Sequence, residues 1–417
     1  MGVSHSFITE WDNSPKEIME FARVIDQDNV LKSFNDMVNH QIPNLDDFCW
    51  ACTQAAAHFK KFPNYVQIDP QPKDRLIFIG DMHGCFETLI RLFIGDEQTQ
   101  IEPLGFPGPQ SDGTRNVYLF NGDLVDRGGS GYQIVFCLSL MALLWPDFVL
   151  INRGNHESEM FGLSTQTGMG HKFMFEVQGK FPDVDFSKYK PAVSDLFYSL
   201  PICHSFDRNV FVVHGGVPLA SDVSGVQFAP TNQFESRTAK VNVPKNVPPY
   251  NINDLQSIQP TRFQTQNLED TPKKKNELWH SFLWSYDRAP YSADFMEFNN
   301  FKTMVNSHTA TPYHFVTTFL PLDKCADKYG VQSVTRGDDT FKKVKEFFDQ
   351  HPNLTKIKMS IVEIFSSPTN QGSLYACVLM TQDGEPGQKI DWDPLNWGYH
   401  NLGSHTDFKF YNAPSVQ

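Results

Sequence analysis

Four times along the chain, a short apolar run ends abruptly in a glycine bracketed by polar side chains. Ile77-Phe78-Ile79 runs into Gly80-Asp81-Met82-His83-Gly84, and Val117-Tyr118-Leu119-Phe120 into Asn121-Gly122-Asp123-Leu124-Val125-Asp126-Arg127-Gly128. Phe148-Val149-Leu150-Ile151 runs into Asn152-Arg153-Gly154-Asn155-His156-Glu157, and Val210-Phe211-Val212-Val213 into His214-Gly215-Gly216. A run that is apolar on both alternating faces predicts a strand buried on both sides, and the glycine marks its exit into a loop. Helical spacing fills the intervals, over Phe86 to Ile94, Tyr132 to Leu144, Phe173 to Phe181 and Val193 to Tyr198. Strands alternating with helices predict an α/β fold with a parallel sheet and helices on its faces. In such sheets, ligands gather at the carboxyl ends of the strands, which is where these Asp, Asn and His side chains fall.

The flanks are plainer. Residues 1–65 read as a helical segment wrapping the core, with Asn13-Ser14-Pro15 as a cap and Ile18, Phe21, Ile25, Leu31, Phe34 and Val38 at roughly helical spacing. Residues 95–116 hold Gly105-Phe106-Pro107-Gly108-Pro109 and predict a surface loop. Residues 220–277 are rich in Pro, Asn and Gln. Further strands are expected at Leu283-Trp284-Ser285 and from Lys302 to His308, and a helix from Phe341 to Phe348. Met359 to Phe365 and Ser373 to Met380 read as two antiparallel strands separated by a turn. The organisation expected is an N-terminal segment (1–65), a catalytic domain (66–380) with insertions near 220–277 and 315–356, and an aromatic tail (381–417).

The 417 residues carry a formal net charge of -13, which argues against a nucleic-acid partner, whose footprint would be basic. Anionic substrates stay open, because bound cations reverse the sign locally. The longest apolar stretch, Phe136 to Trp145, is too short to span a bilayer. With no signal peptide legible, a soluble cytoplasmic protein is expected. Lys273-Lys274-Lys275 leaves a nuclear location open, although such a triplet is more often solvated loop. Seven scattered cysteines suggest buried thiols in a reducing compartment. Cys49 and Cys52 have CxxC spacing without a second pair, a weak signal for redox or zinc chemistry.

Carboxylate, imidazole and carboxamide donors with few thiolates suit manganese, iron or zinc. In Asp81-x-His83, alternate residues leaving a strand point the same way, so both can reach one ion. Asp123 offers two oxygens to bridge two ions, while Asn155 adds a neutral oxygen and His214 a nitrogen. Two divalent cations about 3.5–4 Å apart can clamp a phosphate ester and generate a hydroxide for in-line attack. Arg127 lies beside the cluster as a fork of donors for the transferred phosphate, with Asn155 facing the same group. His156, next to a ligand, is placed to protonate the leaving alkoxide, with Asp126 fixing its tautomer. Any one of these short motifs alone is more often a turn than a site. Together, at four strand ends, they point to a metal-dependent hydrolase.

The four motifs resemble the signature of the phosphoprotein phosphatase family, dinuclear serine/threonine phosphatases built on a calcineurin-like β-sandwich of mixed sheets flanked by helices. The resemblance spans about residues 66–380 and extends to Leu200-Pro201-Ile202-Cys203, Leu283-Trp284-Ser285 and Phe365-Ser366-Ser367-Pro368. It implies that Asp81, His83 and Asp123 hold one metal and that Asp123, Asn155, His214 and His308 hold the other. Arg127 would then bind phosphate, with His156 and Asp126 as the acid pair. His280 and His314 are alternative donors near His308. The implied partners are a phosphoprotein substrate and a regulatory subunit.

Three departures stand out. No Arg-Gly lies between Trp284 and His308 to supply the family's second phosphate-binding arginine, and Arg336-Gly337 is a candidate substitute. Asn370 stands where the family places an active-site tyrosine, and Trp284-Ser285 is followed by Tyr286-Asp287 rather than Asp-Pro. Two other readings therefore stand beside the protein phosphatase. One is a hydrolase of small phosphoesters or dinucleotide polyphosphates, and the other a phosphopeptide-binding scaffold with weakened turnover.

Overall fold

The computed structural model describes residues 17–166, 172–217, 251–257, 282–284, 289–309, 315–319, 332–335, 346, 348–350, 352–355, 359–367, 374–381, 392, 394 and 397–404. The chain enters through a two-residue strand, β1 (Ile18–Met19), and then α1 (Gln27–Val38). After β2 (Ile42–Pro43) comes α2 (Leu45–Phe59). Asp26 and Asn44 begin the two helices by accepting backbone N–H bonds from Asn29 and Asp47, as capping side chains do. The helix expected from residue 15 therefore starts later. Ile18 and Met19 instead pair in parallel with Ile42 and Pro43, and Asn13 to Pro15 lie outside the described residues.

Two mixed sheets follow. The first comprises β4 (Asp74–Ile79), β5 (Gly108–Pro109), β6 (Arg115–Phe120), β7 (Val149–Ile151), β14 (Leu374–Thr381) and β15 (Gly398–Ser404). Within it β4, β6 and β7 are parallel, while β14 runs antiparallel to β4 and β15. The second sheet has the order β12-β11-β13-β10-β9-β8-β3, with β3 (Tyr65–Ile68), β8 (Cys203–Phe206), β9 (Val210–Val213), β10 (Thr303–Asn306), β11 (Phe315–Phe319), β12 (Gln332–Thr335) and β13 (Met359–Glu363). A purely parallel sheet is thus excluded, and the mixed sandwich is what forms.

The alternation along each strand explains the layers. On β4 and β6, Leu76, Phe78, Val117 and Leu119 face Phe206, Val210, Val212, Val305 and Val362 of the second sheet across an apolar layer. Their neighbours Ile77, Ile79, Tyr118 and Phe120 face the opposite way, into a core with α1, α2, α3 (Glu87–Phe93), α4 (Gly131–Leu144), α5 (Phe173–Lys180) and α6 (Lys190–Ser199). On the far side of the second sheet, Phe211, Met304 and Ile361 pack against Phe295 and Met296 of α7 (Ala289–Asn299). Buried on all sides, α4 is apolar around its whole circumference.

Two expectations are corrected here. Leu283-Trp284 is helical, not a strand. The strands at 359–363 and 374–381 exist but do not pair, because β13 belongs to one sheet and β14 to the other. Where the chain leaves β13, Phe365 bridges to Asp81 and Ser366 Oγ accepts the Gly80 N–H, so this crossing is pinned at the ligand loop after β4. Most of the helix expected at Phe341 to Phe348 lies outside the described residues, with Glu346 and Phe348 helical.

Candidate metal centre

The loops leaving β4, β6 and β7 bring Asp81, His83, Asp123, Asn155 and His156 to one end of the first sheet, while those after β9 and β10 bring His214 and His308 from the second. Asp81, His83, Asp123, Asn155 and His214 are all nearly inaccessible to solvent. The loops are too tight for ordinary backbone. His83, Asp123, Asp126, Arg127 and His308 all have left-handed φ, between 45° and 68°. For non-glycine residues this costs about 1–2 kcal/mol each, and such strain clusters at functional sites. A side chain at Gly122 would strike the backbone of Gly154, so the β6 and β7 loops touch main chain to main chain.

Asp123 is shared between two clusters. Its Oδ2 lies 3.7 Å from His83 Nε2, and its Oδ1 lies 3.3 Å from His214 Nε2. Asp81 Oδ2 is 3.5 Å from His83 Nε2. On the other side, Asn155 Oδ1 sits 2.9 Å from His214 Nε2 and 3.0 Å from His308 Nδ1. Donor atoms of Asp123, His214 and His308 fall within 4.8 Å of one another, as do those of His83, Asp123 and His156. Rotating the Asn155 carboxamide would let its nitrogen donate to His214, His308 and Asp123, whereas oxygen inward is the orientation a cation needs.

The tautomers suit metal binding. His214 Nδ1–H donates to the Asn121 carbonyl at 2.8 Å and His83 Nδ1–H to that of Val125 at 3.1 Å, so each Nε2 turns to the cluster. Two fully buried atoms, Asp81 Oδ2 and His83 Nε2, have no hydrogen-bond partner, although both need one. A pair of cations satisfies that donor set, and the residues fit it.

Charge is arranged accordingly. Burial alone would raise the Asp123 carboxyl, but the imidazoles of His214, His156 and His83 outweigh it and hold it well below the usual carboxylate range. Asp81 is likewise held low against burial, chiefly by His214. Burial would lower His214, yet Asp123 and Asp81 push it up to about 9. Burial, reinforced by His214, takes His308 down to about 4.

His156 stands beside this cluster with its Nδ1–H on Asp126 Oδ2 at 2.7 Å and its Nε2 3.8 Å from Asp123 Oδ2. The other Asp126 oxygen accepts the Phe173 N–H at 2.7 Å, so the dyad is anchored at both ends. Although burial lowers His156, Asp123 and Asp126 raise it to a net upward shift that favours the imidazolium. Arg127 is half-buried and makes no hydrogen bond or ion pair among the described residues, which leaves its guanidinium available to an anion. Arg336, His280, His314 and Asn370 lie outside the described residues.

From sequence, no role is assigned to Glu157 or Phe161. Glu157, fully buried, accepts N–H bonds from Asp123, Leu124 and Gly154 at 2.8–2.9 Å and so clamps two ligand loops together. Phe161 lays its ring on His156, centroids 4.5 Å apart, and Trp284 packs on Phe161 at 5.1 Å, giving the site an aromatic wall. For Glu157 the available signal was a carboxylate at the end of an apolar run. Cys49 and Cys52 of the CxxC pair are free thiols. Burial pushes Cys49 up to about 11, and Cys52 is buried inside α2 with its thiol also raised.

No helix among the described residues is long and apolar enough to cross a membrane. Within the curated proteins, the chain is 33% identical over 175 residues to serine/threonine-protein phosphatase T of Trypanosoma brucei, covering 42% of this chain and 32% of that one. It is 29% identical over 183 residues to serine/threonine-protein phosphatase with EF-hands 1 of the rat, covering 44% and 26%. The matched region thus spans about a third or less of these relatives. A solved serine/threonine phosphatase from Saccharomyces cerevisiae, described as similar to human phosphatase PP5, shares the fold with a TM-score of 0.56 at 19% identity, covering 91% of this chain and 96% of that one. Residues 74–312, more than half the chain and all of the described metal-ligand candidates, match the sequence profile of the calcineurin-like phosphoesterases, and the chain belongs to that family.

Proposed function

We propose that the chain is a metal-dependent serine/threonine protein phosphatase, with Asp81, His83 and Asp123 holding one divalent cation and Asp123, Asn155, His214 and His308 the other. The observation that carries this reading is the His156–Asp126 pair presented at the shared carboxylate, because a binding module needs no general acid. The relatives that bear phosphatase names support the substrate class. When bound, manganese, iron or zinc would supply Lewis acidity toward the phosphoryl oxygens and acidify water.

The protein's own groups do the rest. Arg127 binds the phosphate oxygens as a planar fork and keeps them oriented toward the cluster. His156, held as the imidazolium by Asp123 and Asp126, gives its Nε2 proton to the departing serine or threonine oxygen. Asp126 fixes the ring so that Nε2, not Nδ1, faces the substrate. Phe161 and Trp284 exclude water along one side.

The test is phosphate release from phosphoserine and phosphothreonine peptides, with and without manganese, against diadenosine tetraphosphate as the competing substrate. Asp123→Asn should abolish turnover. His156→Ala should lower kcat by about 100- to 10,000-fold. A wild type that binds two metals yet cleaves only the dinucleotide would refute the protein-substrate reading.

A further inference from the structure

The candidate ligands are divided between two sheets. Asp81, His83, Asp123 and Asn155 ride on the first, His214 and His308 on the second. The layer between the sheets is mainly apolar, and apolar contacts alone specify position poorly. Directly beneath the site, three polar side chains interrupt that layer.

Asn121 and Asn152 close β6 and β7 and are tied to the first sheet by their own N–H groups, which donate to Ile79 O and Phe120 O. Their side chains cross to the second sheet. Asn152 Nδ2 donates to Val212 O at 3.1 Å and Asn121 Nδ2 to Val213 O at 2.8 Å, on the two residues that precede His214. A carbonyl can only accept, so both carboxamides are oriented unambiguously. Asn152 Nδ2 then also donates to Asn121 Oδ1 at 2.8 Å, and Asn152 Oδ1 must accept from His204 Nδ1–H at 2.7 Å. Asn121 finishes the chain with a bond to Ser307 Oγ, beside His308, and its carbonyl takes the His214 Nδ1–H. His204, Asn152 and Asn121 are all 2% exposed or less.

We propose that His204, Asn152 and Asn121 are positioning residues: a hydrogen-bonded pin that holds the half-site on the second sheet in register with the half-site on the first. Making all three residues apolar removes their mutual bonds together, so the stability cost is confined to the donors lost by Val212 O, Val213 O and Ser307 Oγ. Beyond that cost, the chain's contribution is geometric. It sets where His214 and His308 stand relative to Asp123, and so how tightly the second cation is held. The inference rests on the metal-centre reading above.

The triple variant Asn121→Leu, Asn152→Leu, His204→Leu removes the pin together with its internal partners. Manganese alone is the probe, followed by calorimetric titration and by the electron paramagnetic resonance spectrum of the loaded full chain. The expected result is a metal-free chain that still unfolds cooperatively, at a lower temperature because Val212 O, Val213 O and Ser307 Oγ lose their donors, with a second manganese site weakened 10- to 100-fold and the exchange-coupled two-manganese signal lost. A folded triple variant that binds two manganese ions with wild-type affinity and spectrum overturns the pin. Should the triple variant not fold, His204→Gln and His204→Leu decide the matter. Glutamine can still donate to Asn152 and must bind manganese like the wild type, whereas leucine must bind it about tenfold more weakly. Equal affinities in that pair overturn the proposal. A wild type that takes up no manganese overturns the metal reading itself, an outcome distinct from both.

Discussion

Loading the metal centre should release a proton from His214. In the metal-free protein, Asp81 and Asp123 hold this imidazole at about 9, while His308 is taken down to about 4 and His83 is also lowered. Near neutrality His214 is then the one metal-ligand candidate that still carries a proton on the nitrogen the cation needs. A group with pKa near 9 is about 1% deprotonated at pH 7, so the affinity of the second site should sit roughly 100-fold below its high-pH limit. It should rise about tenfold per pH unit from 6.5 to 8.5. Calorimetric titration with manganese in two buffers of different ionisation enthalpy counts the protons directly. Working in His156→Gln removes the acid's own proton from that count. Fewer than half a proton released at pH 7, or an affinity flat across this range, would refute the charge arrangement assigned to the site.

Three further outcomes follow from single residues. Arg127 sits at φ 66°, so Arg127→Gly should melt later than Arg127→Ala by about 1 kcal/mol, while both lose about 2–4 kcal/mol of transition-state stabilisation on p-nitrophenyl phosphate. Glu157→Gln puts an amide nitrogen against backbone donors of Asp123, Leu124 and Gly154, which should cost about 1–3 kcal/mol in urea unfolding and weaken manganese binding 10- to 100-fold. His204 is held by burial down to about 3, below its value of about 6.5 in an unfolded chain. The unfolded state therefore takes up a proton that the native state refuses, and stability should fall by at most about 1.4 kcal/mol per pH unit between pH 6.5 and 3. Urea midpoints measured against pH should lose this component in His204→Gln.

How much could be read beforehand depended on whether the signal was local. The strands at β4, β6, β7 and β9 were legible because each is apolar on both faces and stops at a glycine, and the helices between them because their spacing is regular. Asp81, Asp123, Asn155 and His214 were legible because metal-ligand types recur just beyond four buried strand ends, a set that single turns do not explain. Sheet membership was not. Met359 to Glu363 and Leu374 to Thr381 look like a hairpin from either strand alone, and only their separate partners, β10 and β4, assign them to opposite sheets. Leu283-Trp284 reads as strand by propensity and is helical in its tertiary setting. For Glu157 the sequence offers a carboxylate beyond an apolar run but not its partners, because these are backbone N–H groups, which every residue has.

The same division explains why the site is built at a seam. A dinuclear centre needs donors approaching from several sides, and one sheet end presents its loops from one side only. Placing two sheets face to face lets Asp123 stand between half-sites, one oxygen toward His83 and the other toward His214. The arrangement demands turns too tight for ordinary backbone, hence the left-handed residues at His83, Asp123, Asp126, Arg127 and His308. At about 1–2 kcal/mol apiece this strain is comparable to the whole stability of many domains, so it persists only where the surroundings over-determine it. Here the Glu157 clamp fixes the loops along one sheet, and the bonds of Asn121 and Asn152 fix the two sheets against each other. Loosening either should therefore degrade metal affinity before it unfolds the protein.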